Sequence, residues 1–207
     1  MRMTAWLVTL SLLMSPGLGQ LTPTASPAAA RPWFVSAYAA NGTAGFSGDN
    51  SAALAATMSS PEVGCSDGAG GFAVADQNNH VVRQIFANGT IVTIAGVPMS
   101  SGYSGEGLPA LASKLSSPVS MAPYQGGYVI VCRGTYRIMQ LWPNATLVTA
   151  AGNGSSGTAG DGGPATLAKI FPQWGVIAAD PTGPGGGFVW CEQGVWRVTL
   201  NTLTPGT

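Results

Sequence analysis

A glycine-rich loop written three times is the feature that most limits what this chain can become. Residues 39–52 read AANGTAGFSGDNSA, residues 95–109 read AGVPMSSGYSGEGLP and residues 151–164 read AGNGSSGTAGDGGP. Gly48, Gly105 and Gly160 hold the same place in the three copies, and each is followed by an acid: Asp49, Glu106 and Asp161. The glycines step by 57 and 55 residues. Downstream pairs, Ser60-Pro61, Ser117-Pro118 and Phe171-Pro172, step by 57 and 54. A period in the fifties is a whole supersecondary unit, long for a helical repeat and suited to a small sheet. The loop glycines permit positive φ, and the acids are placed to cap the short turn that follows. None of the three copies carries the Gly-Lys-Ser/Thr of a phosphate loop, and no cofactor is implied.

Between the loops lie short apolar runs separated by turn residues. In the first unit they are PEVGCSD (61–67), FAVA (72–75), HVVRQIF (80–86) and TIVTIA (90–95), broken by Gly68 to Gly71, by DQNN and by ANG. Their length and β-branched content predict four antiparallel strands. The second unit repeats them as VSMAP, GYVIV, YRIMQLW and TLVTAA, and the third as WGVIAAD, GFVWC and VWRVTLN. AALAATM (52–58) predicts one or two helical turns. One such sheet is marginal alone, whereas stacking buries both of its faces. The expectation is an all-β fold, a β-propeller of four-stranded antiparallel blades in three units: 33–96, 97–151 and 152–207.

The strand count bears on completeness. Residues 33–38 (WFVSAY) precede a loop that elsewhere follows an outermost strand, so they predict the last strand of a preceding blade. The third unit has three strands before NTLTPGT (201–207). Three blades do not close a ring of about 4–8. The expectation is a fragment of a longer product; the alternative is a homodimer joining three blades to three.

Eight basic and eight acidic residues give a formal net charge of zero, which argues against nucleic acid or an anionic membrane as partner. Only 8% of residues are charged, against about 25% in an ordinary soluble domain. Residues 1–19, with Arg2 ahead of AWLVTLSLLM and small residues after it, predict a secretory signal peptide. The apolar stretch is too short to span a bilayer. Residues 20–32 (QLTPTASPAAARP) predict a linker. The mature chain is therefore expected outside the cell, with no membrane insertion after signal cleavage. In that setting the Asn-X-Ser/Thr sequons at Asn41, Asn88, Asn144 and Asn153 are glycosylation candidates. Cys65, Cys132 and Cys191 leave at least one thiol unpaired within the chain. A Cys132–Cys191 bridge and buried free thiols are both open.

Taken together, the AG-NGT-AGFSGD loop, the following Ser-Pro, FAVAD-xxNHxVR and NGTIVTIAG resemble NHL repeats, the six-bladed propeller units of many extracellular and bacterial proteins. The likeness covers about residues 33–200. The first copy carries the signature Asp76, Asn79-His80 and Arg83; the second keeps Arg137 with Cys132 in place of the Asp, and the third keeps Arg197 with Cys191. The resemblance implies a structural role for these residues at a turn between strands.

Catalytic signals are weak. His80 is the one histidine in the sequence, so a site built from several histidines cannot be assembled. One acid per loop is too few for calcium, and no acid pair is placed for glycoside cleavage. Trp33, Trp142, Trp174, Trp190 and Trp196 can stack on sugars or fill the space between blades. The reading is a secreted scaffold for a protein or glycan ligand, with no catalytic residue or metal site assigned. The alternatives are a six-bladed hydrolase or lyase, or a piece of a receptor ectodomain. Expression in a glycosylating eukaryotic host should yield secreted protein whose gel mobility rises on glycosidase treatment. Asn88→Gln and Asn144→Gln should each shrink that shift; no shift removes both sites.

Overall fold

The computed structural model describes residues 35–172, 176–180, 187–191 and 195–199. The predicted signal peptide and linker, Trp33, Trp174 and residues 201–207 lie outside the described residues, as do the side chains of Trp190, Cys191, Trp196 and Arg197. The architecture is all-β, in three successive antiparallel sheets. The first comprises β1 (Ser51–Ala52), β2 (Pro61–Ser66), β3 (Phe72–Asp76), β4 (Val81–Ile85) and β5 (Thr90–Ala95), in the order β1-β5-β4-β3-β2. The second repeats this with β6 (Leu108–Pro109), β7 (Pro118–Tyr124), β8 (Gly127–Cys132), β9 (Arg137–Leu141) and β10 (Thr146–Ala151), in the order β6-β10-β9-β8-β7. The third contains β11 (Val176–Asp180), β12 (Gly187–Cys191) and β13 (Val195–Thr199).

Each long strand falls on a predicted apolar run. Of the one or two helical turns expected in residues 52–58, one is present, the 3-10 turn Ala53–Ala55, preceded by the two-residue strand β1 on the edge of β5. Too few residues remain before Pro61 for a longer helix to nucleate. The strand expected at 33–38 is corrected: residues 35–38 form no strand, and the Val35 side chain is fully exposed. Among the described residues there is no neighbouring backbone to complete a ladder there. No helix among the described residues is long and apolar enough to cross a membrane.

The sheets stack because their strands are apolar on both faces. Strand β8 reads GYVIVC, and alternation sends Ile130 and Cys132 to one side and Val129 and Val131 to the other. On the first side they meet Ala73, Val82 and Ala95 of the first sheet, together with Met121, Met139, Leu141 and Leu147 of their own. On the second side Val119, Ile138 and Ala151 pack with Ile177 and Phe188 of the third sheet. Val119 and Met121 have the same parity yet face opposite ways, because the β7 register shifts between Pro118 and Ser120. Strand β7 lies between β2 of the first sheet and β11 of the third. Each fully buried Ile, Leu or Met contributes about 1.5–3 kcal/mol. The linking loops fill the same contacts: Ala110 and Leu115 between the first two sheets, and Ile170 between the next two. The equivalent loop before the first sheet sets Ala53, Ala56 and Met58 against Val74, Ile85 and Ile91.

Cys65 and Cys132 are free thiols. The Cys132–Cys191 bridge is therefore not made; Cys132 is instead an apolar member of the contact between the first two sheets. Burial pushes the Cys132 thiol up to about 12. It pushes the Cys65 thiol up to about 11, with the Asp67 charge adding to the shift. Neither thiolate is populated near neutrality, so both are poor nucleophiles. Native protein at pH 8 should leave Cys132 unlabelled by a maleimide, and denatured protein should label it fully, as read by peptide mass spectrometry. Rapid native labelling of Cys132 would contradict the packing.

Candidate functional site

Asp76, Asn79 and Arg83 of the first unit are buried. They hold the glycine-rich loop onto the sheet. Asp76 at the end of β3 accepts from the Ser59 N–H at 2.8 Å and from Asn79 Nδ2 at 2.8 Å, and Asn79 also donates to the Gly45 carbonyl at 2.7 Å. Burial pushes the Asp76 carboxyl above its ordinary range, against the opposing pull of Asn79, the Ser59 N–H and Arg83. Arg83 is fully buried on β4. Its guanidinium donates to the Thr57 and Ser47 carbonyls, both at 2.9 Å, and to Asp49 Oδ1 at 2.7 Å, and lies 5.0 Å from the Phe46 ring centroid. Asp49 thus engages Arg83; the 3-10 turns after the three loops carry no side-chain cap, which corrects the capping role expected of Asp49, Glu106 and Asp161.

The second unit solves the same problem differently. Arg137 pairs across the ladder with Cys132, as Val81 does with Asp76, so it stands two residues before the register position of Arg83. Met139 occupies that position, and Arg197 returns to it in the third sheet, opposite Val189 as Arg83 is opposite Val74. The once-per-unit arginine is therefore one arginine short of a strict repeat. Arg137 touches two loops: it lies 4.0 Å from the centroid of Tyr103 in the second, the counterpart of Phe46, and it donates to the Asn153 carbonyl in the third and to the Thr135 carbonyl of its own turn. Glu106 accepts from Tyr103 and from the hydroxyl and N–H of Thr149. Burial opposes its ionisation, but those donors hold its carboxyl below the ordinary glutamate range.

Backbone explains the glycines. Gly48, Gly105 and Gly160 have φ of +87, +105 and +118°. At Gly48 a Cβ would also come within 2.7 Å of Ala56, and at Gly160 within 2.7 Å of Ala168. His80 sits at the turn into β4 with φ 59°, and its Nδ1 accepts the Ser117 N–H at 3.2 Å, tying the first unit to the entry of the second sheet. Asn88 and Asn144 are exposed on equivalent turns, each accepting from the N–H two residues on. Asn41 and Asn153 instead spend Nδ2 on the Ala55 and Leu167 carbonyls.

The arrangement suited to a ligand lies between the first and second sheets, at the end carrying the turns after β2 and β4. It is a cleft of about 510 Å³ walled by Phe86, Tyr128, Trp142 and Pro143, with Asp67, Gln84 and Thr93 as its polar lining. A directed chain crosses its base. Tyr128 OH donates to Gln84 Oε1 at 2.9 Å, and Gln84 Nε2 donates to Asp67 Oδ2 at 2.8 Å. Asp67 is fixed by the Ala69 and Gly71 N–H groups, both at 2.8 Å to Oδ1. Burial, and behind it Cys65 and Asp67, push the Tyr128 hydroxyl up to about 12, so it stays a donor. Thr93 Oγ1 is buried without a partner. Aromatic walls with a few oriented polar groups are the usual make-up of a small-ligand site. Sequence reasoning named Trp142 but missed Asp67, Gln84, Phe86 and Tyr128. The recurrence of Gln84 as Gln140, with an aromatic residue two places on in each unit, was the available signal.

No family model matches the chain, and no curated protein matches it in sequence. Solved structures match it in fold. A structural genomics protein of unknown function from Bacteroides thetaiotaomicron is similar over 61% of this chain and 32% of that one, at 22% identity and a TM-score of 0.52. An auxiliary nutrient binding protein from the same organism is similar over 67% and 37%, at 13% identity and a TM-score of 0.52. A putative phosphatase, also from that organism, is similar over 71% and 36%, at 14% identity and a TM-score of 0.50. The chain spans about a third of the length of these proteins.

Urea denaturation should rank the loop anchors. Arg83→Met strands two carbonyls and Asp49, and should cost about 3 kcal/mol. Asp49→Asn, at a partly exposed partner, should cost under about 1 kcal/mol. His80→Ala should cost about 1 kcal/mol through the orphaned Ser117 N–H. Equal costs for Arg83→Met and Asp49→Asn would refute the anchoring role.

Proposed function

We propose that this chain is a secreted segment of an NHL-type β-propeller that works as a binding scaffold, with a protein or glycan ligand seated in the cleft between the first two sheets. The observation that carries the reading is the Tyr128–Gln84–Asp67 chain under the aromatic walls of Phe86 and Trp142. It fixes donors and acceptors before any ligand arrives, which lowers the ordering cost of binding. Stacked antiparallel sheets joined by repeated loops support the propeller reading, with units at 33–96, 97–151 and 152–207. One of the fold neighbours is an auxiliary nutrient binding protein, which is compatible with a binding role. The proposal extends to glycosylation at Asn88 and Asn144, whose turns are exposed.

The test is a screen of the full chain on arrays of glycans and of purified extracellular proteins, followed by affinity measurements on each hit. Phe86→Ala and Trp142→Ala should weaken a true cleft ligand at least tenfold, with a circular dichroism spectrum like that of the parent. Hits whose affinity ignores both substitutions would place binding elsewhere and overturn the assignment.

A further inference from the structure

The first cleft has a counterpart one sheet further on. Between the second and third sheets lies a cleft of about 280 Å³ lined by Tyr124, Gln140, Trp142, Thr149, Thr166 and Phe188 among others. The correspondence is clearest between the first two sheets. Gln84 and Gln140 face the same ladder position, opposite Ala73 and Val129 respectively, and Tyr128 and Phe188 each follow the glycine that opens β8 and β12. Thr93 and Thr149 match on the outer strands, as do Phe86 and Trp142 just beyond β4 and β9. Trp142 lines both clefts.

Each cleft holds a polar atom that the fold leaves unanswered. In the first it is Thr93 Oγ1; in the second it is the Tyr124 hydroxyl, on a residue only 7% exposed. The Tyr124 ring is held edge-on against Phe188, with centroids 5.9 Å apart. Buried hydroxyls without partners are rare, and a ligand oxygen would satisfy them. Among the described residues Asp67 is the one acidic or basic residue lining either cleft, and three donors already engage it. The lining therefore selects a neutral, hydroxyl-rich molecule with flat apolar faces, which is the chemistry of a sugar ring.

We infer that the two clefts together bind one linear neutral oligosaccharide, with Trp142 as the wall that successive sugar units share. This rests on the binding reading above and goes further by naming the ligand class and a second subsite. Stacked sheets lie about 10 Å apart, more than the width of one sugar ring, so an occupant of both clefts is longer than a monosaccharide. Repeated clefts with repeated chemistry match a polymer of repeated units.

Calorimetry of the full chain with neutral glucose and mannose oligosaccharides, from disaccharide to hexasaccharide and in both α and β linkages, provides the test. For at least one series affinity should rise with length until both clefts are filled and then level. Tyr124→Phe removes only the unanswered hydroxyl, so the melting temperature should not fall. It should weaken the longer oligosaccharides about tenfold and leave the disaccharide unchanged. Phe86→Ala should weaken every length. Trp142→Ala should weaken every length at least thirtyfold. Length-independent binding that responds to Phe86→Ala but not to Tyr124→Phe would overturn the extended site and keep the first cleft. Failure of all the oligosaccharides, with a protein hit on the first cleft, would overturn the ligand class. Failure of every ligand to respond to Phe86→Ala or Trp142→Ala would sink the binding reading itself.

Discussion

Everything in this structure hangs on the contact between neighbouring sheets. An isolated antiparallel sheet with two apolar faces would expose both of them to water. The second sheet shows the requirement most plainly, because Ile130 and Met139 are buried against one neighbour while Val131 and Ile138 are buried against the other. The first sheet supplies small residues, Ala73 and Ala95, where the second supplies large ones, Met121 and Met139. That division sets how closely the two backbones approach. It also leaves the periphery, where side chains grow sparse, as an open cleft. The cleft is a by-product of stacking that the aromatic residues at its rim turn into a surface of defined chemistry.

Polar anchors then determine where the linking loops lie. Arg83 is buried completely, and its two terminal nitrogens are answered by two loop carbonyls and a carboxylate while its Nε–H is left without a partner, so most of the cost of burying its charge is offset. Arg137 begins two residues earlier and ends over the equivalent aromatic ring of the next loop. The loop's position is retained while the side-chain route to it changes. Shape is repeated more faithfully than residue identity, as His80 and Tyr136 also show by sharing the left-handed backbone region at φ 59 and 49°.

Strand positions were legible in the sequence because each apolar run is short and bounded by Gly, Asn or Asp, which leaves the period of the pattern little freedom. Asp76, Asn79 and Arg83 were legible as a group only through the resemblance to NHL repeats. What escaped were features set by pairing between distant strands. The register of Arg137 depends on its partner Cys132, and a one-dimensional alignment on arginine misplaces it by two positions. The short strand β1 depends on the edge of β5, forty residues downstream at Ile91 and Thr90. The clefts depend on which turns come together when sheets stack, and no local pattern encodes that. The capping role given to Asp49 failed because a buried guanidinium is a stronger partner than a solvent-facing turn.

Trp142 stands in the wall common to two clefts, so a displacement of its ring by an occupant of one would be felt in the other. An occupant that draws the indole toward one side alters the shape offered on the other. Linkage requires that the effect be mutual: whatever the first cleft does to the affinity of the second, the second does to the first by the same factor. A single side chain at a sheet boundary thus gives a stack of otherwise separate repeats a means of acting in concert, with the sign of the cooperativity set by which way the ring moves.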